Sequence, residues 1–183
     1  SSDLGTGGDA TVSIGRETGS KGNMWISGGE ATWHNNAELS VGWFGTGQIT
    51  VYGGAFVSSD TNYVGDGTTG HGTLIVQDPG TFWQCDNYLQ IGFDGTGVLN
   101  ILGGATVSGN QAWIGARGTS AGQALVEGDS SSWTCPGGMS VGTYGTGSLT
   151  IRDGGYVSCS QATVATVSGS SGTITIEGFE AKW

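Results

Sequence analysis

The chain has 183 residues, of which 38 are glycine and only two are proline, and it carries a net charge of −10. Glycine without a G-x-y triplet excludes collagen, and regularly spaced apolar residues exclude a disordered chain. Five basic residues against fifteen acidic ones argue against nucleic acid and anionic membrane surfaces, which require clustered Lys and Arg.

In chain order the predicted elements are seven short apolar-x-apolar strands: Met24-Trp25-Ile26, Ile49-Thr50-Val51, Leu74-Ile75-Val76, Leu99-Asn100-Ile101, Ala124-Leu125-Val126, Leu149-Thr150-Ile151 and Ile174-Thr175-Ile176. Each follows a glycine of the series Gly22, Gly47, Gly72, Gly97, Gly122, Gly147 and Gly172, at a constant interval of 25. A fixed period in this range is the mark of stacked coils. Val, Ile, Thr, Tyr and Trp favour strands, and no window holds a 3.6-residue apolar stripe. The reading is all-β, a single-stranded parallel β-solenoid of about seven coils in 50-residue double repeats. It forms one domain over 1–183, as a segment of a longer array.

The 50-residue superperiod shows in Trp33, Trp83, Trp133 and Trp183, and in Val64, Ile114 and Val164. One kind of coil has a longer first loop (Val64 to Gly72) and ends in Trp where the other ends in Val57, Val107 or Val157. Each coil is predicted to offer three short strands separated by turns: a V/I-G strand, the triplet, and a strand carrying Val or Trp. Alternation of side chains turns the outer residues of each triplet inward and the middle one outward. Glycines serve tight corners and close stacking.

The pattern V/I-G-x-x-G-T/S-G-x-L-x-V/I-x-x-G-A-x-V at Val41–Val57, Ile91–Val107 and Val141–Val157 resembles the autotransporter (type V secretion)/PEP-CTERM-associated repeat, over nearly the whole chain from Asp9 onward. The resemblance implies a right-handed parallel β-helix exposed at or beyond the bacterial cell envelope. It brings no catalytic motif. No run of about 18 apolar residues is present to span a membrane.

Candidate functional residues are few. The outward column Trp25, Thr50, Ile75, Asn100, Leu125 alternates large apolar with small polar side chains and is the expected contact face. Trp43 and Trp113 flank V/I-G strands and are open between packing and contact. Trp33, Trp83, Trp133 and Trp183 are expected to pack inside or at a corner. Of the cysteines, Cys85 and Cys135 lie two coils apart, beyond disulfide reach. Cys135 and Cys159 fall on adjacent coils, where a bridge is geometrically possible; three unpaired buried thiols is the plainer reading. His34 and His71 lack ligand partners, and the calcium nonapeptide is missing, so neither metal nor cofactor is expected. Asp78 and Asp153 replace glycine in one turn column, which fits turn chemistry.

The expected function is a structural or adhesive rod at the cell surface or in the extracellular space, without catalytic activity. Its expected partners are surface glycans, a host protein, or copies of itself meeting end to end. A carbohydrate-binding or carbohydrate-active β-helix is the alternative; a catalytic site would break the repeat locally, and no coil departs that far. An ice-binding solenoid would show a Thr-x-Thr ladder, whereas threonine holds only three of seven triplet centres.

Overall fold

The computed structural model describes residues 11–183, and the first ten residues of the expected domain lie outside it. Sixteen strands follow one another along the chain: β1 (Val12–Ile14), β2 (Lys21–Ser27), β3 (Thr32–Val41), β4 (Thr46–Tyr52), β5 (Phe56–Val64), β6 (His71–Gln77), β7 (Phe82–Ile91), β8 (Thr96–Leu102), β9 (Thr106–Ile114), β10 (Ala121–Glu127), β11 (Ser132–Cys135), β12 (Gly138–Val141), β13 (Thr146–Arg152), β14 (Tyr156–Cys159), β15 (Ala162–Val164) and β16 (Ser171–Glu177). Every strand pairing is parallel. The architecture is the expected parallel β-solenoid.

Two sheets wrap one core. The first is seven-stranded, in the order β16-β13-β10-β8-β6-β4-β2, and holds all seven apolar triplets. At a strand spacing of about 4.8 Å this sheet runs roughly 30 Å along the axis. The second is nine-stranded: β1-β3-β5-β7-β9 in sequence, then β11 and β12 side by side on β9, continued by β14 and β15.

The triplets behave as alternation requires. Ile49, Val51, Leu74, Val76, Leu99, Ile101, Leu149 and Ile151 are fully buried, while the middle residues point out. From the second sheet, Val41, Val57, Trp83, Leu89, Ile91, Val107, Ile114 and Trp133 complete one continuous core. Trp33 belongs to it as well, so three of the four periodic tryptophans are interior as expected. Trp183 departs from that expectation and is 38% exposed, because it lies in the last described coil, with stacking on one side only.

Where β3, β5, β7 and β9 run through, the expected three separate strands per coil are corrected to two elements; where β11 is separate from β12, and β14 from β15, the three strands stand as expected. In β3, β5, β7 and β9 the Val/Trp strand of one coil runs on into the V/I-G strand of the next. The bend between them is a register shift, as at Asn35/Glu38 and Cys85/Tyr88. No glycine of positive φ stands at these bends, and a bulge turns the chain without ending its ladder. The strand does break between Cys135 and Gly138, where Pro136 lacks an N–H and Gly138 has φ +113°.

The two kinds of coil close on the same length by compensation. The triplet sheet always steps by 25, as in Gly47↔Gly72↔Gly97. The V/I-G column steps by 27 from Ile14 to Val41 and by 23 from Val41 to Val64. Two extra residues in the longer first turn are offset by one fewer at each of the other two crossings.

Glycine is required where coils touch. Gly42 has φ +70°, and a Cβ there would lie 2.2 Å from the His71 carbonyl oxygen of the next coil. The same column ends in Ala165 at φ +53°, where no further coil stacks among the described residues. Asp78 and Asp153 also lie at positive φ, +76° and +50°, in line with Gly28, Gly53, Gly103 and Gly128. The expected turn role is what the backbone shows, since Asp tolerates this region better than most residues.

Candidate functional site

The seven-stranded sheet presents the expected contact column in register: Trp25↔Thr50↔Ile75↔Asn100↔Leu125 are successive ladder partners. Trp25 is 63% exposed, and the other four are half-buried. The column is therefore one continuous stripe down a flat face. A shallow depression of about 260 Å³ crosses it between Asn100, Gln123, Leu125, Thr150 and Arg152. These groups are neutral apart from Arg152, which is tied to Glu127 at 2.9 Å.

The chemically richer surface lies elsewhere, on the outside of the nine-stranded sheet beside the first turn. Here β5, β7 and β9 present Tyr63, Tyr88 and Trp113, and the turn after Gly92 adds Phe93. Tyr63 and Phe93 have ring centroids 4.9 Å apart, and Tyr63 meets Tyr88 edge-on at 6.3 Å and 75°. Tyr88 meets Trp113 edge-on at 5.7 Å and 87°. All four rings are half-buried, so each keeps part of its surface open. Edge-to-face packing of this kind holds rings rigidly.

Ring geometry follows from coil geometry. Tyr63, Tyr88 and Trp113 recur at intervals of 25, yet they do not stack. Because this part of the coil steps by 27 and 23, Tyr63 pairs with Gln90 and Tyr88 with Thr61. The rings fall into two neighbouring columns and meet diagonally, which makes them edge-on.

Charged groups ring the aromatics. The Arg117 guanidinium carbon lies 4.1 Å from the Phe93 ring centroid, a cation–π contact, and its Nη1 is 3.4 Å from Asp94 Oδ2. The buried Ser40 hydroxyl donates to Asp66 Oδ2 at 2.9 Å. Burial pushes the Asp66 carboxyl above its ordinary range; the Ser40 hydrogen bond and Arg117 pull it back, and Asp94 adds to the rise. Glu38 is also raised, first by burial and then by the charge of Asp66. The Tyr63 hydroxyl is raised by burial and by its hydrogen bond with Tyr88. The result is a platform of four rings flanked by carboxylates, one guanidinium and the amides of Gln90 and Gln111.

Of the residues left open by sequence, Trp113 joins this platform, while Trp43 stacks on Phe44 at 5.7 Å with Arg16 5.3 Å from its ring centroid. Sequence reasoning missed Tyr63, Tyr88 and Phe93. The signal was present in the 25-residue recurrence of large aromatics at 63, 88 and 113. His34 is exposed, its Nδ1 2.7 Å from Ser58 Oγ, and His71 is exposed on β6. Among the described residues no group of three His, Cys, Asp or Glu converges as a metal site, and no helix is long and apolar enough to cross a membrane.

Fold and surface together define a parallel β-solenoid with an aromatic, acid-flanked lateral face. Compared with known proteins, the chain matches no family model, no curated protein and no solved structure.

Proposed function

We propose that the protein is a bacterial cell-surface or extracellular rod, structural and adhesive rather than catalytic, that holds glycans against the Tyr63–Tyr88–Phe93–Trp113 face. One observation carries the reading: four half-buried rings, three packed edge to face and Phe93 tilted against Tyr63, beside carboxylates, an arginine and amides. Ring faces accept the C–H surface of a sugar, while the flanking polar groups bond its hydroxyls. The solenoid supplies rigidity, since every residue of the platform stands on, or directly beside, a hydrogen-bonded ladder. The stripe from Trp25 to Leu125 on the other sheet offers a second, flatter contact face. Location at the surface rests on the repeat pattern and the acidic, lysine-poor composition.

Affinity electrophoresis in gels containing neutral or acidic polysaccharides tests the platform. Retardation by at least one polysaccharide is expected, weakened about fivefold or more in Trp113→Ala, in line with about 1–3 kcal/mol for a lost stacking ring. Equal mobility of wild type and variant in every gel refutes the reading. Glu38 and Asp66, two adjacent carboxyls both raised, are the one feature that favours a carbohydrate-active alternative. Reproducible cleavage lost in Glu38→Gln would establish that alternative in place of simple binding.

A further inference from the structure

Two of the three cysteines are brought together by the coil register. Cys135 ends β11, Cys159 ends β14, and they are direct ladder partners in adjacent parallel strands. Partners on neighbouring strands stand about 4.8 Å apart, inside the Cα range of roughly 4.4–6.8 Å that a disulfide spans. All three cysteines stand as free thiols. Cys85, by contrast, pairs with Gly109, so a whole coil separates it from Cys135, and Asn62 Nδ2 already donates to its sulfur at 2.8 Å.

The setting supplies both access and slack. Cys135 is buried, but Cys159 is half-exposed beside an open depression of about 420 Å³ lined by Thr134, Pro136, Ser158, Cys159 and Ser160. Both cysteines are the last residues of their strands, ahead of Pro136 and Ser160, so bridging them disturbs no continuing ladder. Beyond this corner β15, which pairs only with β12 among the described residues, is exposed at every residue.

We propose that Cys135 and Cys159 form an intrachain disulfide that staples the coil of β14–β16 to the one beneath it. With an oxidised low-molecular-weight disulfide as oxidant, the Cys159 thiolate attacks one of its sulfurs and releases the first small thiol. The Cys135 thiolate then attacks Cys159 Sγ and expels the second. The pair loses two protons and two electrons, which leave in the two small thiols. The bridge closes one full coil and restricts the unfolded chain accordingly.

The test uses the whole chain, incubated with oxidised glutathione, then unfolded and alkylated. Mass spectrometry should find one alkylated cysteine, Cys85, and a peptide cross-link between Cys135 and Cys159. Oxidation should also raise the melting temperature by several degrees, reversibly on reduction, in Cys85→Ser but not in Cys159→Ser. Three alkylated thiols, a lasting glutathione adduct without a cross-link, or a bridge that includes Cys85 or a second molecule would each overturn the assignment.

Discussion

Replacing Gly92 by alanine probes coil stacking at the middle of the rod. Gly92 has φ +69°, and a Cβ built there meets the Ala121 carbonyl oxygen at 2.4 Å, about an ångström inside normal contact. Holding an L residue in the left-handed region costs about 1–2 kcal/mol. Relieving the clash must lift the coil of β10 away from that of β8, its ladder neighbour. That strains the bond from Ala116 N–H to the Gly92 carbonyl at 2.9 Å and the one from Ala121 N–H to the Gly95 carbonyl at 3.0 Å. At about 1 kcal/mol for each weakened bond, the total loss is about 3–4 kcal/mol. Ala165 bears the conformational term with no further coil stacked on it among the described residues, and the fold accommodates it. Gly118→Ala is the matched control, since nothing lies within 4 Å of its Cβ position, and a change within about 0.5 kcal/mol is expected there. Urea unfolding followed by circular dichroism measures both, and hydrogen exchange locates the opened amides. A Gly92→Ala variant within about 1 kcal/mol of Gly118→Ala would refute the stacking argument.

Leu99→Asp places a charge at a fully buried position inside a ladder, where no partner offsets its desolvation. Loss of the cooperative transition is expected, whereas Leu99→Ala should fold with a loss of about 2–5 kcal/mol; an equally stable Asp variant would contradict the core assignment. Glu38 and Asp66 have folded-state carboxyls raised by burial, so their contribution to stability is fully present below the ordinary carboxylate range, roughly pH 4, and is lost as pH rises through the raised values. Thermal melts of the double variant Glu38→Gln/Asp66→Asn should therefore lose less stability than wild type on going from acid to neutral pH, and parallel curves would count against it. Asp78→Ala, at φ +76° and with its carboxylate accepting from Gly53 N–H at 3.1 Å, should destabilise the turn more than Asp78→Gly; chemical denaturation of both variants decides the order.

Sequence alone determined the solenoid and its inside. The unbroken 25-residue interval dictates like-on-like stacking, and alternation within each triplet then decides which side chains face the core. Leu74, Val76, Leu99 and Ile101 needed no further information. Positive-φ corners were legible where glycine recurs or Asp78 and Asp153 replace it, whereas Ser130, Ala165 and Glu180 adopt the same conformation without that signal. Tertiary structure decided how the second sheet is joined: whether a turn or a bulge links Trp33 to Leu39 depends on ladder hydrogen bonds that leave no trace in composition. It also decided the lateral platform. Counting by 25 stacks Tyr63 on Tyr88, yet compensation between the corners shifts that segment by two residues in alternate coils, setting Tyr63 beside Gln90 and turning the rings edge to face. Local spacing specifies a column only where every coil takes the same path. Where coils differ in turn length, the register, and with it the chemistry of the face, is set by how the whole stack closes.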